Sequence, residues 1–177
     1  RYFKYYFGKK PNIIRQNRTS VGVIAGDETA DDFQQLGKDI FTYYGLGCRN
    51  VSKVFVPENY DFQFILDSLQ SFEEVGDHHK YRNNYDYNKS IYLVNRDPHL
   101  DTGFLLVKES EELVSPISVL FYKQYKNEEH LKALLTENES KIQCIVGHDY
   151  IPFGKAQQPA VDDYADGIDT MEFLCGL

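Results

Sequence analysis

Cys48 stands in the segment Gly45-Leu46-Gly47-Cys48-Arg49-Asn50-Val51-Ser52-Lys53. Glycines on the upstream side let the backbone turn sharply and bring a substrate close to the sulfur. Arg49 and Lys53 add positive charge nearby, an arrangement expected to favour thiolate over thiol. A cysteine presented on a glycine-bounded turn is what covalent catalysis requires. The alternative is a cysteine that fills a small space in the core. Other titratable groups carry less. His78-His79 lacks a set of further metal ligands and reads as a solvated loop. His148-Asp149 reads as the end of a strand, Cys144 as core, and Glu28 as a partner for a helix amino terminus.

The elements around Cys48 follow from hydrophobic period and turn chemistry. Thr19-Ser20-Val21-Gly22-Val23-Ile24-Ala25 contains a short apolar run that predicts a buried strand. Thr29 can cap a helix with Asp32 at the capping-box distance. Phe33, Leu36, Ile40, Phe41 and Tyr44 then form a helical stripe, with Gly45 at its carboxyl end. Lys53 to Val56 predicts a strand closed by Pro57. A helix capped by Asp61 carries Phe62, Ile65, Leu66, Leu69 and Phe72 on one face. Residues 77–90 read as a polar, partly helical connection. Strands are expected at 91–94, 104–108, 116–122 and 141–147, a helix at 127–135, and a closing short strand at 170–174. Strands and helices alternate, so the expected fold is an α/β layered domain with a largely parallel sheet flanked by helices.

Composition narrows the function classes. The chain of 177 residues is long enough for one domain with a proper core. Residues 1–26 hold Arg1, Lys4, Lys9, Lys10, Arg15 and Arg18 and no acid. The remainder holds thirteen bases against twenty-seven acids, a net charge of −14. Such acidity argues against a nucleic-acid partner. No apolar run approaches the roughly 20 residues needed to span a bilayer, so no membrane span is expected. Three widely spaced cysteines argue against a disulfide framework or a zinc site, and a reducing cytoplasm is the expected location.

Three blocks of sequence resemble the aldehyde dehydrogenase superfamily, and more closely the bacterial acyl-CoA reductases that supply aldehyde for luminescence. The first block is Gly37-Lys38-Asp39-Ile40-Phe41-Thr42-Tyr43-Tyr44-Gly45-Leu46-Gly47-Cys48-Arg49-Asn50-Val51-Ser52-Lys53-Val54-Phe55-Val56-Pro57. The second is Glu111-Glu112-Leu113-Val114-Ser115-Pro116-Ile117. The third is Ile151-Pro152-Phe153-Gly154, leading to Gln158-Pro159 and Asp163-Tyr164-Ala165-Asp166. The first block is specific, the second moderately so, and the third weak by itself.

The resemblance implies that Cys48 takes the acyl group of an acyl-CoA as a thioester, which NADPH then reduces to an aldehyde. It implies that Glu112 meets the nicotinamide ribose, although Val114 and Ser115 depart from the family's Phe and Gly. The superfamily's second oxyanion donor, an earlier Asn, has no counterpart here. The glutamate that activates water in the hydrolytic members has none either, since no carboxylate precedes Asp27. No Gly-x-Gly-x-x-Gly fingerprint is present. The resemblance therefore suggests residues 1–18 as a basic lead-in or seam to a nucleotide-binding domain outside this chain. Residues 19–177 would form the catalytic domain, which is expected to fold alone without completing hydride transfer. It also suggests a homo-oligomer. A coenzyme-A-acylating aldehyde dehydrogenase working oxidatively passes through the same thioester. A non-catalytic α/β interaction module is the other alternative.

Overall fold

A computed structural model describes residues 2–14 and 17–177; Arg1 and Arg15 of the basic segment lie outside the described residues. The chain forms α1 (Tyr2–Phe7), β1 (Thr19–Val23), α2 (Ala30–Phe41), β2 (Val51–Pro57), α3 (Gln63–Leu69) and α4 (His79–Asn95). It continues through β3 (Leu100–Asp101), β4 (Leu106–Glu109), β5 (Val119–Tyr125), α5 (Glu128–Asn138), β6 (Ile142–Val146) and α6 (Thr170–Cys175). The six strands make one sheet in the order β3-β4-β5-β2-β1-β6. Every neighbouring pair is parallel except β3 with β4, so the expected α/β layering with a largely parallel sheet is what the chain adopts.

The apolar runs explain the layering. Residues of one strand alternate between the two faces of the sheet. Val54 and Val56 of β2 join Phe33, Leu36 and Ile40 of α2 and Ile65 and Leu69 of α3 in one cluster. Phe55 faces the other way and packs with Leu131, Leu134 and Leu135 of α5. On that second face Leu106, Val119 and Phe121 meet Tyr85 and Tyr92 of α4. Thr29 caps α2 as expected: its hydroxyl accepts the Asp32 N–H while Asp32 accepts the Thr29 N–H. Asn127 caps α5 by accepting the His130 N–H at 2.9 Å. The expected cap at Asp61 is looser, an acceptor for the Gln63 N–H just ahead of α3.

Four sequence expectations are corrected. Residues 77–90 are no connection: most of them belong to α4, a helix of 17 residues. Its buried Tyr81, Tyr85, Asn88 and Tyr92 recur at helical spacing, a stripe built of amphipathic rather than aliphatic side chains. Ile91–Val94 is the last part of that helix, not a strand, and Leu93 and Val94 point to solvent. Thr170–Leu174 is helical because Asp169 caps it, accepting the Glu172 N–H at 2.9 Å. The segment His78-His79 is also reassigned: His78 is the cap of α4, where Nδ1 accepts the Tyr81 N–H.

Glycine 37 lies inside α2, where alanine ordinarily favours a helix by about 1 kcal/mol. Here the ring of Phe72 comes within 2.2 Å of where a β-carbon would stand. That ring also packs against Phe41, with centroids 5.2 Å apart, so it has no easy retreat. Gly37→Ala is expected to lower stability by about 1–3 kcal/mol despite its better helix propensity, through overpacking. Urea denaturation compared with the unsubstituted chain checks this.

Candidate functional site

Cys48 is exposed on a turn between α2 and β2, at the amino edge of the parallel strands. The approach to it is unusual. After α2 the chain passes through Tyr43 (φ 54°), Tyr44 (φ 60°) and Gly45 (φ 74°), three successive left-handed residues. Glycine takes that conformation freely, whereas each tyrosine costs on the order of 1–2 kcal/mol. The Tyr44 ring stacks on His78, with centroids 4.1 Å apart, which offsets part of that cost. Tyr43 and Leu46, on the same turn, are each 69% exposed.

Asn50 fixes the turn from beneath. Its side-chain oxygen accepts the Gly47 N–H at 2.8 Å. Its amide nitrogen lies 3.0, 3.2 and 2.7 Å from the carbonyls of Asp39, Ile40 and Thr42. Two amide hydrogens are thus spread over three carbonyls at the end of α2. The Asn50 N–H closes the turn on the Gly47 carbonyl at 3.0 Å. The Cys48 carbonyl accepts from the buried Ser20 hydroxyl, also at 3.0 Å, and that oxygen stands 3.0 Å from the Cys144 sulfur. Burial pushes the Cys144 thiol up, so it is held neutral in the core, as its apolar strand implied. Among the described residues nothing accepts the Cys48 N–H.

The three sequence blocks converge on this turn. The buried Asp39 carboxylate accepts the N–H groups of Gly154 at 2.6 Å and Ala156 at 3.1 Å, which ties the third block to α2. Burial raises the Asp39 carboxyl above the usual carboxylate range, and those two bonds work against the rise. Arg49 donates to the Ala156 carbonyl at 3.1 Å and pairs with Asp163 at 2.5 Å. The second block is attached through Ser52, whose hydroxyl donates to the Leu113 carbonyl at 3.0 Å. A small cavity of about 30 Å³ also brings Ser115 and Pro116 against Tyr44, Gly45 and Ser52.

Neither cation expected to activate Cys48 is free to do so. Arg49 is buried and neutralised by Asp163. Lys53 is buried within β2 and its ammonium faces the carbonyls of residues 110–112. Glu112 lies on that connection with its carboxylate exposed and, among the described residues, without a hydrogen bond or ion pair. Glu28 does not serve the α2 terminus; it is buried and closes the preceding turn by accepting from Ala25 and Gly26. At the opposite edge of the sheet, ligand atoms of Asp27, Glu28 and His148 lie within 4.8 Å of one another. Those Glu28 oxygens are already engaged, and the His148 ring faces Asp27 and Asp32 at 3.5 and 3.6 Å, a geometry of ion pairs. The supporting roles of Asn50, Ser20, Asp39 and Asp163 were not anticipated; the one local signal was a carboxamide two residues after the cysteine.

No family model matches the chain, and none of the curated proteins does. Solved structures similar to it include two dehydrogenases. One is a Mycobacterium tuberculosis aldehyde dehydrogenase complexed with NAD+, at 13% identity and a TM-score of 0.45, with 67% of this chain and 31% of that chain covered. The other is the delta-pyrroline-5-carboxylate dehydrogenase from Mycobacterium tuberculosis bound with NAD, at 15% identity and a TM-score of 0.45, with 73% and 29% covered. The chain thus spans less than a third of the length of either. Among the described residues no helix is long and apolar enough to cross a membrane.

Asn50→Ala would orphan the Gly47 N–H and the α2 carbonyls that the side chain now serves. Each buried polar group left unpaired costs on the order of 1–3 kcal/mol. A loss of about 2–4 kcal/mol in urea denaturation is expected, with faster proteolysis at residues 43–50.

Proposed function

We propose that this chain is the cysteine-bearing part of an acyl-CoA reductase, with Cys48 as the nucleophile. The observation that carries the reading is the contrast at Cys48 itself: the backbone is fixed on three sides while the thiol is exposed. Its sequence blocks resemble the aldehyde dehydrogenase superfamily, and that resemblance supplies the reaction class.

In this reading the Cys48 thiolate attacks the carbonyl carbon of an acyl-CoA. The new C–S bond forms as the bond to coenzyme A breaks, and coenzyme A departs as its thiol after taking up a proton. One thioester replaces another, so the step is close to thermoneutral and needs only a modest thiolate fraction. The free Cys48 N–H is a donor for the oxyanion formed on the way. Tyr43 and Leu46 are exposed apolar side chains of the same turn, available for contact with an acyl chain. NADPH, when bound, supplies a hydride to the thioester carbonyl, and the aldehyde leaves as Cys48 is restored. Glu112 presents an uncommitted carboxylate, which suits the two hydroxyls of a ribose. We further propose residues 1–18 as the seam toward a nucleotide-binding domain; its Tyr2, Phe3, Tyr5 and Tyr6 are exposed and none of α1 is buried.

Mass spectrometry of the chain incubated with a long-chain acyl-CoA tests the acyl-transfer step. The expected result is one acyl adduct on the wild type and none on Cys48→Ala. Iodoacetamide at near-neutral pH should label Cys48 and spare the buried Cys144, with the exposed Cys175 as an internal reference. An adduct that survives Cys48→Ala, or a Cys48 that resists both reagents, would rule the nucleophile out.

A further inference from the structure

Among the described residues Lys53 is the one lysine in the buried core, 2% exposed in the middle of β2. Its register partner on β5 is Phe121, which packs under α4, while Phe55 two residues on packs under α5. The lysine therefore emerges on the sheet face between those helices, where the β4–β5 connection crosses. Its ammonium lies 2.8 Å from the Ser110 carbonyl, 3.3 Å from that of Glu111 and 3.0 Å from that of Glu112. Three donors meet three consecutive carbonyls, the full hydrogen-bonding capacity of an ammonium. The neighbouring Ser52 holds the next carbonyl, that of Leu113. Two consecutive residues of the strand that follows Cys48 thus hold the backbone of four consecutive residues around Glu112.

We propose that Lys53 is the positioning residue that straps residues 110–113, and with them Glu112, to the Cys48-bearing strand. Its functional meaning rests on the reading of Glu112 as the group that meets the nicotinamide ribose. The strap sets the distance between that ribose and the thioester without Lys53 touching either. Charge matters to the strap. Burial, followed by repulsion from Lys123, lowers the Lys53 ammonium to about 8, against a smaller opposing pull from Glu111. Lys123 itself pairs with Glu111. Once neutral, the amine has two hydrogens for three carbonyls and loses the strength of a charged donor. The strap is therefore tight at pH 7 and slackens as pH rises through about 8. The global linkage has the opposite sign. Between about 8 and the ordinary lysine value of 10.5 the unfolded chain binds more protons, so this group's contribution to stability rises with pH. Local loosening is thereby separable from unfolding.

Hydrogen–deuterium exchange of the 110–114 segment at pH 7 and pH 9, corrected for intrinsic rates, tests the strap. In the wild type the protection should fall about tenfold between the two, the equivalent of one net hydrogen bond. Lys53→Met should be poorly protected at both pH values. Lys53→Arg should be protected at both, since a guanidinium keeps its charge. Should Lys53→Met fail to fold, the wild type and Lys53→Arg decide between them. Equal protection in wild type and Lys53→Met, or a pH dependence that persists in Lys53→Arg, would overturn the assignment. Acylation of wild-type Cys48 and binding of NADPH are followed in the same samples. Their absence would retire the readings of the reaction and of Glu112, while the exchange pattern alone decides whether Lys53 positions the segment.

Discussion

The carboxamide of Asn50 is the interaction on which the Cys48 turn depends. A helix ends with carbonyls that have no intrahelical partner, and a turn that follows it directly has no secondary structure to lean on. Asn50 answers both needs with one side chain, donating to carbonyls at the end of α2 and accepting from Gly47. It can do so only while almost fully buried, where competition from water is absent. The left-handed run at Tyr43, Tyr44 and Gly45 lies between the α2 carbonyls and the Gly47 N–H that this one amide serves. An asparagine so placed cannot also serve the substrate, since every hydrogen of its amide is engaged. Its closeness to Cys48 in sequence is therefore structural rather than chemical.

Around that point the polar interior is divided between two straps of different chemistry. On one side Asp39 and Arg49 capture the 154–156 backbone, each a buried charge satisfied by main-chain groups or by Asp163. On the other, Ser52 and Lys53 capture carbonyls 110–113. Buried charges are costly unless fully paired, and their use here goes to connections that carry no regular structure. Aliphatic packing builds the layers of the sheet and helices, whereas charge-to-backbone bonds fix the loops that bring the three sequence blocks to one place.

The layered fold was legible because its strands are short apolar runs and its main helices carry proper caps. Thr29 with Asp32 and Asn127 ahead of α5 are local signals, and local signals survive folding. The errors arose where burial is carried by amphipathic residues. Tyr81, Tyr85 and Tyr92 cover the sheet with aromatic surface, but their polar neighbours hid the helical period of α4. Residues 91–94 look like a strand only when detached from that stripe. Of the candidate site, the glycine turn and the exposed thiol could be anticipated from spacing. The partners of Arg49 and Lys53 could not, since Asp163 and residues 110–112 are remote in sequence. Formal charge near a cysteine in sequence says little about the field at its sulfur when each cation is already answered.

That last point bears on which chemistry the turn suits. Cys48 follows the carboxyl end of α2 on a turn whose backbone is held by Asn50 and Ser20. Arg49, its neighbour in sequence, is paired with Asp163. The thiol is accessible. Hydrolysis of an amide or ester would demand more, namely a base to generate the nucleophile and a second group to activate water. Exchange between two thioesters demands least, because attacking and leaving sulfurs have similar basicity and the small thiolate fraction present at neutral pH is intrinsically reactive. An exposed and rigidly held cysteine matches the proposed acyl transfer better than it matches a hydrolytic role, and it leaves the barrier to be lowered mainly by orientation of the bound acyl group.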